Sequence, residues 1–133
     1  MSVRTDVVIL ACAISAGVHG ALAPAHFDEG AGAGIAFVVS TVLLAGLALW
    51  LTLRPAGSLP SAGAALVFAG LLGSYALATT TGVPVVHPEP EPVDGLAVAT
   101  KAFEAVGLVT ALSLLRRRHA LPLPLIQPKG TLT

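Results

Sequence analysis

The sequence predicts an all-α, four-helix transmembrane bundle with both termini cytoplasmic. Three observations carry that expectation. Charged residues make up only 11% of the 133-residue chain and the mean hydropathy is +0.87, whereas a soluble domain carries about 25% charged residues. Four apolar runs divide the chain, each near the roughly 20 residues that cross a bilayer. The charges segregate: Arg4, Arg54, Arg116, Arg117, Arg118 and Lys129 fall on one side of a four-span arrangement, and Asp28, Glu29, Glu89, Glu91 and Asp94 on the other. Excess Lys and Arg marks the cytoplasmic side, so the acidic loops are expected to face outward from the cell membrane.

The first helix is expected over about 6–23, after a short polar head, with Pro24 ending or kinking it by removing a backbone donor. The following HFDEGAGAG reads as an acidic loop. A second, almost wholly apolar helix is expected over 33–53, with Trp50 at the headgroup level near its end. The prolines of RPAGSLPSAG make a turn, and a third helix follows over 61–80. The stretch TGVPVVHPEPEPVDG is rich in proline and acid and reads as stiff, extended chain. Asp94 is placed to cap a fourth helix over 94–115. The spans form one domain over 1–118, and 119–133 is expected to be a flexible cytoplasmic tail. The basic head, apolar run and Ala23-Pro24-Ala25 also resemble a cleavable secretory signal. Asp6 and His19 are awkward in such a signal, and the first helix is expected to stay attached.

Zero net charge gives nucleic acid binding no support, and the single cysteine, Cys12, cannot form an internal disulfide. No Walker loop, nucleophile elbow or HExxH pattern occurs, and an enzyme is not the favoured reading. The informative residues are polar groups inside apolar runs. Cys12, Ser15 and His19 share one face of the first helix at spacings of three and four. His26 would extend that face if the helix continued past Pro24. On the fourth helix Asp94, Lys101 and Glu104 fall within about a quarter turn at ~100° per residue. Ionisable groups in hydrocarbon cost about 2.5–3.5 kcal/mol each on insertion scales, so His19, Lys101 and Glu104 should face the interior. Lys101 and Glu104 at i, i+3 read as an ion pair. On the third helix Ser74, Ala78 and Thr81 share a face. The second helix offers almost nothing polar and is expected to face lipid or a partner.

Nearer the outer surface, His26, Glu29, His87, Glu91 and Asp94 are imidazoles and carboxylates that two loops could gather, with His19 one layer deeper. That donor set suits a transition metal such as zinc or copper; the other reading is solvated loop residues whose acids reinforce the topology. The metal site requires the first and fourth helices to be neighbours, as compact four-helix packing favours.

The run His19-x4-Pro24-x-His26-Phe27-x-Glu29 resembles one found in small uncharacterised four-span integral membrane proteins of actinobacteria. They share a later Thr80-x-Gly82-x-Pro84 element, then Glu91-Pro92-Val93 and a Glu within the last helix, here Glu104. Their pattern has an Asp where this chain has Ala97, with Asp94 one turn earlier. The resemblance implies the fold and a membrane location, and no activity.

Three readings of function follow. The first is a membrane protein with an outward His/carboxylate cluster that binds a metal. The second is an accessory subunit of a larger membrane complex or a homo-oligomer, held by small-residue faces such as Gly30/Gly34 and Ala65/Ala69. The third is a small transporter or proton-relay protein using His19 and Glu104.

Overall fold

The computed structural model describes residues 2–83 and 90–119. Four helices follow one another: α1 (Val3–Glu29), α2 (Ala31–Leu53), α3 (Ser58–Thr80) and α4 (Gly95–His119). All four are long and apolar enough to cross a membrane. Each helix packs on its neighbours in sequence, and α4 returns to close against α1, while α1 and α3 meet only marginally across the diagonal. The result is an up-and-down bundle with an acidic end, at the α1–α2 and α3–α4 connections, and a basic end. The expected adjacency of the first and fourth helices is present.

The largest departure from the sequence reading is at Pro24. It was expected to end or kink α1 at about residue 23, and the helix runs on to Glu29 with Pro24 inside it. Proline leaves the carbonyl of Gly20 without its helical donor, and Thr41 of α2 packs against Gly20 there. Membrane helices tolerate this because neighbouring chains and hydroxyls stabilise the freed backbone. The reversal into α2 is then made by Gly30 alone, in extended conformation, with its amide donating to the His26 carbonyl at 3.0 Å. HFDE is therefore helix, not loop. Across this turn the Phe27 ring covers Gly34 and leaves no room there for a Cβ.

The other ends shift by a few residues for identifiable reasons. Ser2 caps α1, its hydroxyl accepting from the Thr5 amide at 3.3 Å. Pro60 sits in the first turn of α3, where its missing N–H is not needed, so that helix starts at Ser58. Asp94 is the cap expected for α4: its Oδ1 accepts from the Ala97 amide at 2.8 Å. The expected tail lies almost wholly outside the described residues.

Towards the basic end the bundle is solidly packed. Val8, Ala11 and Cys12 of α1, Leu44 and Leu51 of α2, Phe68 of α3 and Ala111 of α4 form its buried core. Phe68 is held between α1 and α4. A Cβ on Gly107 would come within 2.5 Å of its ring and 2.9 Å of the Ala11 Cβ, so glycine is what lets α4 approach this closely. Outward-facing side chains are apolar on every helix, including Leu10, Val42, Leu66 and Val109, as lipid contact requires. Span hydroxyls turn back on their own helices: Ser40, Thr52 and Thr110 donate to the carbonyl four residues earlier at 2.7–2.8 Å.

The second helix was expected to be the lipid- or partner-facing member; its outer face carries exposed Ile35, Val38, Val39, Val42, Leu43 and Leu49, while its other face packs along α1. One expectation about packing is corrected. The small residues Gly34 and Ala65 are buried within the bundle, so those pairs do not present a continuous small-residue face outward.

Candidate functional site

Towards the acidic end the helices part and enclose a cavity of about 610 Å³. It is lined by the second half of α1, the first half of α2, the second half of α3 and the first half of α4. Its rim carries Glu29, Glu91 and Asp94; His26 lies alongside; His19, Tyr75 and Lys101 lie deeper. The chain before α4 folds over α3 here, with the Glu91 amide donating to the Ala78 carbonyl at 2.9 Å.

Beneath this cavity lies the most polar cluster in the bundle. Glu104 is completely buried. Its Oε1 accepts from the Ser15 hydroxyl at 2.7 Å, and its Oε2 from the Lys101 ammonium at 2.8 Å. The ion pair read from the i, i+3 spacing is therefore present, and Ser15 joins it from the facing helix. A carboxylate in this position needs such partners, because stripping a charge of water costs several kcal/mol unless hydrogen bonds replace the solvent.

His19 completes the cluster. Its Nδ1 lies 2.8 Å from the Ser15 carbonyl oxygen. A carbonyl can only accept, so Nδ1 carries the proton and donates. Its other ring nitrogen, Nε2, lies 4.0 Å from Glu104 Oε1. His26, two turns on, repeats the arrangement by donating from Nδ1 to the Leu22 carbonyl at 2.9 Å. Its Nε2 lies 4.0 Å from Glu29 Oε2. Both rings rest on Phe37 of α2, His26 stacked at 3.6 Å between centroids and His19 tilted at 5.1 Å. The persistence of α1 past Pro24 is what aligns the two histidines.

The residues of the expected metal cluster separate into two groups. His26, Glu29, Glu91 and Asp94 line the one cavity with His19, while His87 lies outside the described residues. Among the described residues no three His, Cys, Asp or Glu side chains are gathered closely enough to hold a metal ion. The acids surround an opening instead of converging on a point, because they stand on helix ends separated by the cavity. On α3, Ser74 and Ala78 line the cavity as their shared face implied, and Thr81 does not.

Two contributors went unread in the sequence. Phe37 supports both histidines. Tyr75 places its ring 5.4 Å from the Lys101 ammonium, and its buried hydroxyl has no hydrogen-bond partner among the described residues. The signal for Tyr75 was available: it is the chain's only tyrosine, set in an apolar run one residue after Ser74. Phe37 had no such signal, since one aromatic among Val, Ala and Ile looks like lipid-facing surface.

No family model, curated protein or solved structure matches this chain.

Proposed function

We propose that the protein is a small multi-pass transporter of the cell membrane, with both termini cytoplasmic, in which a small polar solute or a proton enters from outside and meets His19 and Lys101, with Glu104 buried behind them. The observation that carries this reading is the cavity itself. It lies in the acidic half of the bundle, with His19 and Lys101 in its lining, while the core around Phe68 fills the basic half. A structural ion pair alone would call for no such cavity. The one-sided placement of Arg and Lys supplies the orientation.

Thiol labelling in intact cells tests the reading, since Cys12 is fully buried and gives little background. A membrane-impermeant reagent added outside is expected to modify Ala97→Cys and Thr100→Cys, which replace cavity-lining residues. It should leave Ala64→Cys, in the packed half, untouched from either side. Modification of the first two only from the cytoplasm would reverse the orientation. No modification from either side would remove the cavity as an entry route.

The second reading puts zinc or copper at the rim: His26, Glu29, Glu91 and Asp94 line the same cavity, and since no three of them are gathered closely, binding would have to draw Glu91 or Asp94 towards the His26–Glu29 side. Its expected signature is one equivalent of bound metal at neutral pH, in protein purified without a histidine tag. Binding should be lost in His26→Ala and should weaken as pH falls through the histidine range, because protonated imidazole cannot ligate. A wild-type chain that takes up no stoichiometric metal on titration rules this reading out.

A further inference from the structure

The hydrogen-bonding capacity left over inside the cavity identifies what it would hold. Glu104 is turned away from it: the carboxylate is completely buried, and both oxygens are occupied by Ser15 and Lys101. Lys101 does line the cavity, with its side chain 17% exposed. An ammonium has three N–H donors; one of those of Lys101 goes to Glu104, and the face of Tyr75 lies alongside. The Tyr75 hydroxyl is a further donor with no partner among the described residues. The floor therefore presents donors and a positive charge to the cavity, with the compensating negative charge hidden behind. The rim is the reverse, since Glu29, Glu91 and Asp94 are all carboxylates.

A monoanion would be repelled at this entrance, and a monocation would meet Lys101 at the floor. We propose, resting on the transporter reading, that the cavity takes a small zwitterion, an amino-carboxylate with its carboxylate on Lys101 and Tyr75 and its ammonium towards the Asp94 side of the rim. The size follows from the helix. Seven residues separate Asp94 from Lys101, a rise of about 10 Å at ~1.5 Å per residue. The ligand's two charges must therefore stand several ångströms apart, set by that rise and the reach of the two side chains. That separation matches an amine and a carboxylate joined by a short methylene chain better than an α-amino acid, whose charges are adjacent.

The probes are 4-aminobutyrate, butyrate and butylammonium, titrated calorimetrically into the full-length protein in detergent. The zwitterion is expected to bind at least about tenfold more tightly than either single-charge analogue, the worth of one charge-assisted hydrogen bond. Tyr75→Phe keeps the ring and deletes only the unpartnered hydroxyl. It should weaken 4-aminobutyrate and butyrate severalfold while leaving thermal stability unchanged. Asp94→Asn keeps a good helix cap and should weaken 4-aminobutyrate and butylammonium. Equal or tighter binding of butyrate or butylammonium overturns the zwitterion assignment, as does a Tyr75→Phe protein with unaltered affinity. Binding of none of the three also overturns it. The transporter reading is then decided separately, by whether Thr100→Cys is labelled from outside.

Discussion

Glu104→Ala is expected to lose about 1–3 kcal/mol of unfolding stability, and the double change Lys101→Met with Glu104→Leu to recover most of it. The single variant leaves the Lys101 ammonium without its 2.8 Å partner; breaking a fully buried pair costs about 3–5 kcal/mol, and the cavity beside Lys101, whose side chain is 17% exposed, lowers that. The double variant removes both charges, and apolar replacement of a buried pair is often neutral or stabilising. Ser15 loses its acceptor in both, but a helical serine can turn to the carbonyl four residues back, as Ser40 and Thr52 already do. The comparison is made by denaturant unfolding in detergent. Equal losses in the single and double variants would show that the pair does not interact.

Phe68→Ala is expected to be the most damaging change in the packed half, at about 3 kcal/mol. Phe68 is fully buried and wedged against Ala11 and Gly107, so truncation leaves a void that rigid helices cannot close. Phe→Ala in soluble cores costs about 3–5 kcal/mol. The lower end applies because lipid replaces water as the alternative surroundings, and the transfer part of the cost shrinks. What remains is lost dispersion contact and the cavity itself. Phe68→Leu should recover more than half. If Phe68→Ala unfolds like wild type, the close approach at Gly107 is not what holds α4 to α1 and α3.

The residues that the sequence made legible are those for which lipid is a forbidden neighbour. Lys101, Glu104 and His19 could only turn inward, and their mutual contacts follow from the i, i+3 spacing and from the adjacency of α1 and α4. Asp94 was legible as a cap because a short carboxylate before an apolar run has that local use. Pro24 was misread because the rule applied there describes helices in water, where nothing replaces the missing bond; within the bundle α1 continues. That error mattered, since ending α1 at Ala23 puts His26 and Glu29 in a loop, free to converge with Glu91 and Asp94. On a continuous helix they are fixed at one side of an opening. Phe37 and Tyr75 show a further limit. Their roles come from packing against residues far away in sequence, and an apolar run records no such partners. His87 and Glu89, equally prominent in the sequence, lie outside the described residues.

The unequal halves of the bundle also shape how it would sense voltage. If water fills the cavity from the acidic side, as the transporter reading requires, the electrical potential of that side reaches down to the level of His19 and Lys101. The transmembrane drop then falls mainly across the packed layer around Phe68, which is thinner than the bilayer. A unit charge moving between the rim and His19 would cross little of the drop. One passing from Glu104 to the basic end would cross most of it, worth about 2.3 kcal/mol per 100 mV for the full drop. Loading of the site would thus be nearly insensitive to membrane potential, and any charge movement through the Phe68 layer would carry almost all of the electrical work.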